Sequence, residues 1–191
     1  MAQLNRRLSE IITLLDTNRD ALRGTIEGVN PAFATMRPRS DNWSAAEVVE
    51  HLAIVEDSIS RLLAKLVRQA RESGAPPVTS DESIISSLDK FRLTEVVQKI
   101  EAPPSLNPAK ESQIEESFAI LEKKRADLRE TLLSSADLDL SGVKQAHRLF
   151  GELNVYQWAV FAAQHEERHR RQIEKTLDEV TERAAECAPI V

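Results

Sequence analysis

Ala162-Ala163-Gln164-His165-Glu166-Glu167-Arg168-His169-Arg170-Arg171-Gln172-Ile173 places two of the chain's four histidines four residues apart, in a run free of proline and glycine. On a helix this spacing is slightly more than one turn, so both imidazoles leave from one face. Steps of three and four backwards from His165 reach Ala162, Phe161 and Trp158; steps forward from His169 reach Gln172, Ile173, Thr176 and Val180. The pair therefore lies on an apolar stripe, while Glu166, Glu167, Arg170, Arg171 and Glu174 fall mainly elsewhere. Buried imidazoles need partners. Two readings follow: core histidines bonded to carbonyls or carboxylates, or an i, i+4 pair that grips one metal ion.

Working outward, the composition favours helix. Hydrophobic residues make up 41% of 191, with 5 glycines and 4% aromatics. Such a chain can bury a sizeable core, and we expect residues 1–191 to form one domain. A formal charge of −6, with cations scattered among acids, excludes general nucleic-acid binding. No apolar run is long enough to span a bilayer, and the first residues, Met1-Ala2-Gln3-Leu4-Asn5-Arg6-Arg7, are not a secretory leader. The lone Cys187 fits a reducing compartment and is too near the end for a structural role. A cytoplasmic protein is expected.

Four long amphipathic helices are predicted. The first runs from about Gln3 to Gly28 on Leu4, Leu8, Ile11, Leu15 and Leu22, and Asn30-Pro31 ends it. A polar connection to Asn42 follows, with Phe33 and Met36 tucked under it. The second helix opens at Ser44-Ala45-Ala46-Glu47, a capping box, with Trp43 and Val48 as a hydrophobic staple, and it continues to about Glu72. Residues 74–110 form a proline-containing crossover with short helices near Asp81–Lys90 and Leu93–Ile100. The third long helix is expected from Asn107-Pro108 to Ser135 on Ile114, Phe118, Leu121, Leu128 and Leu132. A loop from Ala136 to Asn154, holding His147, leads to a cap at Asn154 and a last helix to about Ala185. The fold class is all-α: a four-helix bundle with a long crossover between the second and third long helices.

In such a bundle, facing side chains can converge on one ion. His51 lies beside the stripe of the second helix, one turn after Val48, and is the candidate third ligand to His165 and His169. Three protein ligands leave a position for water or substrate, which is how catalytic rather than structural zinc is held. Glu47 and Gln172, one turn from their histidines, are placed to orient imidazoles. His147 is a candidate extra ligand or acid/base group at the mouth. Taken alone, His51 also reads as a boundary histidine pairing with Glu47 or Glu50, and Glu47 and Gln172 as capping and surface residues.

The combination Trp43-Ser44-Ala45-Ala46-Glu47-Val48-Val49-Glu50-His51-Leu52 with His165-x-x-x-His169-x-x-Gln172 resembles the DinB-like superfamily over nearly the whole chain. His147-Arg148-Leu149-Phe150-Gly151-Glu152-Leu153-Asn154-Val155-Tyr156-Gln157-Trp158 also looks like the lead-in to the last helix in one of its branches. The resemblance implies an up-down-down-up bundle and a divalent metal, nickel or zinc, on His51, His165 and His169. It further implies a small-molecule substrate and, as in relatives that use bacillithiol or mycothiol, a low-molecular-weight thiol as cofactor. Arg168 stands where many relatives carry another histidine.

Other chemistries are weaker matches. His165-Glu166-Glu167-Arg168-His169 spells the HExxH of zinc proteases, but charged residues crowd it, and Glu186, a possible downstream carboxylate, sits in a fraying tail. Glu166 is expected to be solvated or to support a ligand. No serine elbow or phosphate loop occurs. The enzyme expected is a metal-dependent thiol transferase or hydrolase acting on a small molecule. The competing reading is a non-catalytic binding or interaction module whose metal is structural or absent, and a fourth protein ligand would favour it. Wide apolar stripes on the first and third long helices suggest a homodimer.

Overall fold

The computed structural model describes residues 4–95, 102–109 and 112–186. Asn5 caps the first helix, α1 (Arg6–Ile26), its side chain accepting from the Leu8 amide. Asn30 does the same for a short helix α2 (Pro31–Thr35). The capping box predicted at Ser44 is present: Glu47 N–H donates to Ser44 Oγ, and the Glu47 carboxylate accepts from the Ser44 amide. It starts α3 (Ala45–Glu72). The remaining long helices are α4 (Ile114–Ser134) and α5 (Val155–Glu186). Among the described residues, no helix is long and apolar enough to cross a membrane.

Side-chain register gives the helix directions. Asn18 donates to Ala163 O and Arg170 reaches Thr25, so α1 and α5 run parallel. Asp16 pairs with Arg129 and Arg23 with Glu122, so α1 and α4 run antiparallel. Glu50 accepts from Ser112 while Arg71 pairs with Asp137, so α3 and α4 run parallel. The order is up-down-down-up, with α5 packed between α1 and α3 and with α4 against α3.

The core is divided. One apolar cluster holds Leu15, Ile59, Leu63, Leu128 and Ala163; the other holds Leu22, Val49, Leu121 and Ile173. Arg19, Glu56, Arg125 and Glu166, one from each long helix, are all buried at positions between the two. Arg19 Nη2 lies 2.7 Å and Arg125 Nη2 2.9 Å from Glu166 Oε2. Arg125 also holds Glu56, with Nη2 3.1 Å from Oε2.

Several segments differ from expectation. The third long helix begins at Ile114 and not Pro108, because Asn107 instead closes a 3₁₀ turn at Pro104–Leu106 and the Ala109 amide donates to Glu50. The crossover helix expected near Asp81–Lys90 is a tighter 3₁₀ segment, Ile85–Phe91, ended by Arg92 at φ 49°. The one expected at Leu93–Ile100 lies mostly outside the described residues, as does Cys187. The loop before α5 contains an antiparallel hairpin, β1 (Lys144–His147) with β2 (Gly151–Asn154), and Gly151 turns it at φ 75°. Met36 is exposed, and Ala34 is the residue that α2 buries.

Candidate metal centre

The capping box sets where the first turn of α3 starts and, through the helical repeat, where His51 points. His51 is buried, and its ring centroid lies 5.3 Å from His165 and 4.9 Å from His169 across the groove between α3 and α5. A ligating nitrogen of each histidine lies within 4.8 Å of the others. His165 Nε2 and His169 Nε2 are 3.2 Å apart. Two nitrogens at zinc-binding distance in a tetrahedron are separated by roughly 3.4 Å, so the pair already has the spacing an ion requires.

The hydrogen bonds orient the lone pairs. His51 Nδ1 donates to the Leu106 carbonyl at 2.8 Å and His169 Nδ1 to Gln172 Oε1 at 2.8 Å. Each bond puts the ring proton on Nδ1 and leaves Nε2 as an acceptor aimed at the cluster. Burial drives all three imidazoles toward the neutral form. His51 is lowered by desolvation, against the Leu106 bond, and His165 lies well below its ordinary value. His169 is held at about 3, by desolvation first and its neighbour His51 next. Neutral nitrogen is the form that binds a metal. The donor set therefore fits a divalent ion. Among the described residues, no Cys, Asp, Glu or further His joins the three.

The chain matches the DinB superfamily over residues 14–173. It belongs to that superfamily. It is 28% identical over 163 residues to the uncharacterized protein YuaE of Bacillus subtilis (strain 168), covering 83% of this chain and 91% of that one. Its fold is similar to the crystal structure of TT2238, a four-helix bundle protein, with 25% identity and a TM-score of 0.59 over 88% of this chain and 98% of the other.

Within this DinB-superfamily site, the other residues singled out in the sequence have distinct surroundings. Glu47 bonds the Ser44 amide and Arg37, so its carboxylate serves the helix start and not an imidazole. Gln172 touches His169 as expected. His147 sits on the hairpin tip in the wall of the same cavity, its Nδ1 accepting from the Leu149 amide at 3.1 Å. Glu50, the alternative partner for His51, is taken up by Ala109 and Ser112.

Glu166 corrects the sequence reading. It is neither solvated nor beside a ligand's outer nitrogen, but 1% exposed and bonded to Arg19 and Arg125. Burial raises its carboxyl, and Arg125 and Arg19 pull it back. One residue on from His165 is about 100° around a helix, which turns Glu166 into the bundle interior. The protease general base is therefore not at this site, and Glu186 is exposed at the far end of α5.

The sequence reading missed the charged layer and the Leu106 anchor. The first carried a signal: Arg19 stands between Leu15 and Leu22, and Arg125 between Leu121 and Leu128, on otherwise apolar stripes. The second is a backbone carbonyl, and side-chain patterns do not reveal it.

Proposed function

We propose that the protein is a metal-dependent enzyme in which His51, His165 and His169 hold one divalent ion, nickel or zinc, and that it transfers a small thiol to an electrophilic small molecule. The convergence of three neutral imidazoles on a cavity of about 940 Å³ carries this reading. Bound there, such an ion would lower the pKa of a thiol or water and favour the nucleophilic form at neutral pH. Leu106 and Gln172 hold two of the imidazoles in the ligating tautomer. Trp43, 5.0 Å from His51, and Phe161, 5.5 Å from His165, flank the cluster with apolar surface that limits water. Glu166, the general base of the protease reading, faces the interior, so activation of the nucleophile falls to the ion. A thiol acidified by the ion needs no such base.

The test is elemental analysis of protein purified without a polyhistidine tag, beside His51→Ala and His169→Ala. About one equivalent of divalent ion per chain is expected, as for a single three-histidine site, with loss in both variants. Wild-type protein that refuses added nickel and zinc refutes the reading.

A further inference from the structure

The cavity is far larger than an ion requires. At about 940 Å³ it lies within the range that encloses a whole drug-sized ligand. Its character changes with distance from the three imidazoles. From α3 it is lined by Val55, Ile59 and Leu62, an aliphatic strip. From α5 and the hairpin it is lined by rings. Trp158 and Phe161 meet edge to face with centroids 5.7 Å apart, and His147 stacks on Phe150 at 4.4 Å and 15°. Phe161 is 4.7 Å from His147 and 5.5 Å from His165, so aromatic surface runs unbroken from the hairpin tip to the histidine cluster.

The lining offers no charge of a single sign. The charged residues of the lining carry both signs, and those near α5 have partners: Lys175 lies 3.8 Å from Glu179, and Arg168 donates to the carbonyls of Leu93 and Glu95. A charged ligand body would exchange water for aliphatic and aromatic contacts at a net cost. A flat neutral ring would bury its faces against carbon and meet aromatic edges at favourable separations.

We propose that the substrate of this site is a small molecule with a flat, uncharged aromatic body. That body lies between the α3 aliphatic strip and the ring surface of Trp158, Phe161 and the hairpin tip, with the reacting group at His51, His165 and His169. The inference rests on the metal reading above and narrows it to a substrate class.

Two probes with the same zinc-binding group and different bodies test it: acetohydroxamate and benzohydroxamate, titrated calorimetrically into zinc-loaded protein. Burial of the phenyl ring should make benzohydroxamate bind about tenfold tighter or more. Val55→Ala and Phe150→Ala shorten an aliphatic and an aromatic side chain in the cavity wall. Each should reduce that preference to about threefold or less by removing ring contacts, with zinc content and acetohydroxamate affinity unchanged. Equal affinities for the two probes in zinc-loaded wild type, or a preference that both variants retain in full, overturn the proposal while the metal site stands. Protein that takes up no zinc overturns the metal reading, and this inference falls with it.

Discussion

Glu166→Gln separates two views of the HExxH segment. In a zinc protease the substitution removes the general base, ends turnover and leaves stability close to wild type. In this structure Glu166 Oε2 receives Arg19 Nη2 at 2.7 Å, Arg19 Nε at 3.1 Å and Arg125 Nη2 at 2.9 Å. All the groups involved are at most 4% exposed. A neutral amide leaves two buried guanidinium groups sharing the buried carboxylate of Glu56, with Arg19 otherwise pairing with the part-exposed Glu122 at 3.3 Å. Breaking one partner out of a buried ion pair costs about 3–5 kcal/mol, because the remaining charge is stranded away from water. For a chain of this size that is a melting shift of roughly 6–20 °C. Glu166 Oε1 has no hydrogen-bond partner among the described residues, so the new amide NH₂ gains nothing that offsets the loss. Urea unfolding followed by circular dichroism gives the stability, and elemental analysis of the folded variant gives the ion. The expected result is a large drop in midpoint with about one equivalent of metal still bound, since the ligands are untouched. A variant within about 0.5 kcal/mol of wild type, the range of an ordinary surface substitution, would refute the structural role assigned to the charged layer.

Two further predictions concern the imidazoles. Gln172→Leu removes the acceptor of His169 Nδ1 and should weaken metal affinity by about 10–100-fold, read by competition with a chromophoric chelator; unchanged affinity would show that Gln172 does not orient the ring. In chelator-treated protein, burial holds His169 at about 3 and lowers His51 and His165 as well. The unfolded chain therefore binds protons that the folded chain refuses, and stability should fall with pH below about 6.5, by about 1.4 kcal/mol per unit for His169 with further loss from the other two, and level off above it. A urea midpoint that does not move between pH 7.5 and 5 would refute the buried neutral triad.

How much of this was legible in the sequence depends on which force acted at each position. The helix starts at Ser44 and Asn154 were readable because capping is local: a side-chain oxygen and an amide three residues on satisfy each other without the rest of the fold. Asn154 indeed accepts from the Gln157 amide at 2.9 Å. The start of α4 was misplaced for the opposite reason. Asn107-Pro108 has the local form of a cap, but the carbonyl of Leu106 is drawn to His51 and the Ala109 amide to Glu50. These long-range bonds keep Leu106 and Ala109 out of a helix start, and α4 begins at Ile114. The hairpin at residues 144–154 escaped because strands of four residues, mostly exposed, show too few alternations to register as a period.

The charged layer and the histidine cluster show how one helix carries two polar sites without mixing them. His165 and Glu166 are adjacent in sequence, and the helical repeat sends them to different faces. His165 enters the groove shared with His51, while Glu166 enters the interior shared with Arg19 and Arg125. Each arrangement supports the other. The ion pairs join all four long helices at the level where α5 must hold its rotation, and a rotation of about 100°, one residue's worth, that carried His165 into the interior would bring Gln164 into its place. It would bury an imidazole against two guanidinium groups and leave His51 facing the Gln164 amide. The pairing of Glu166 with both arginines therefore penalises that rotation. It favours the register in which His165 and His169 face His51.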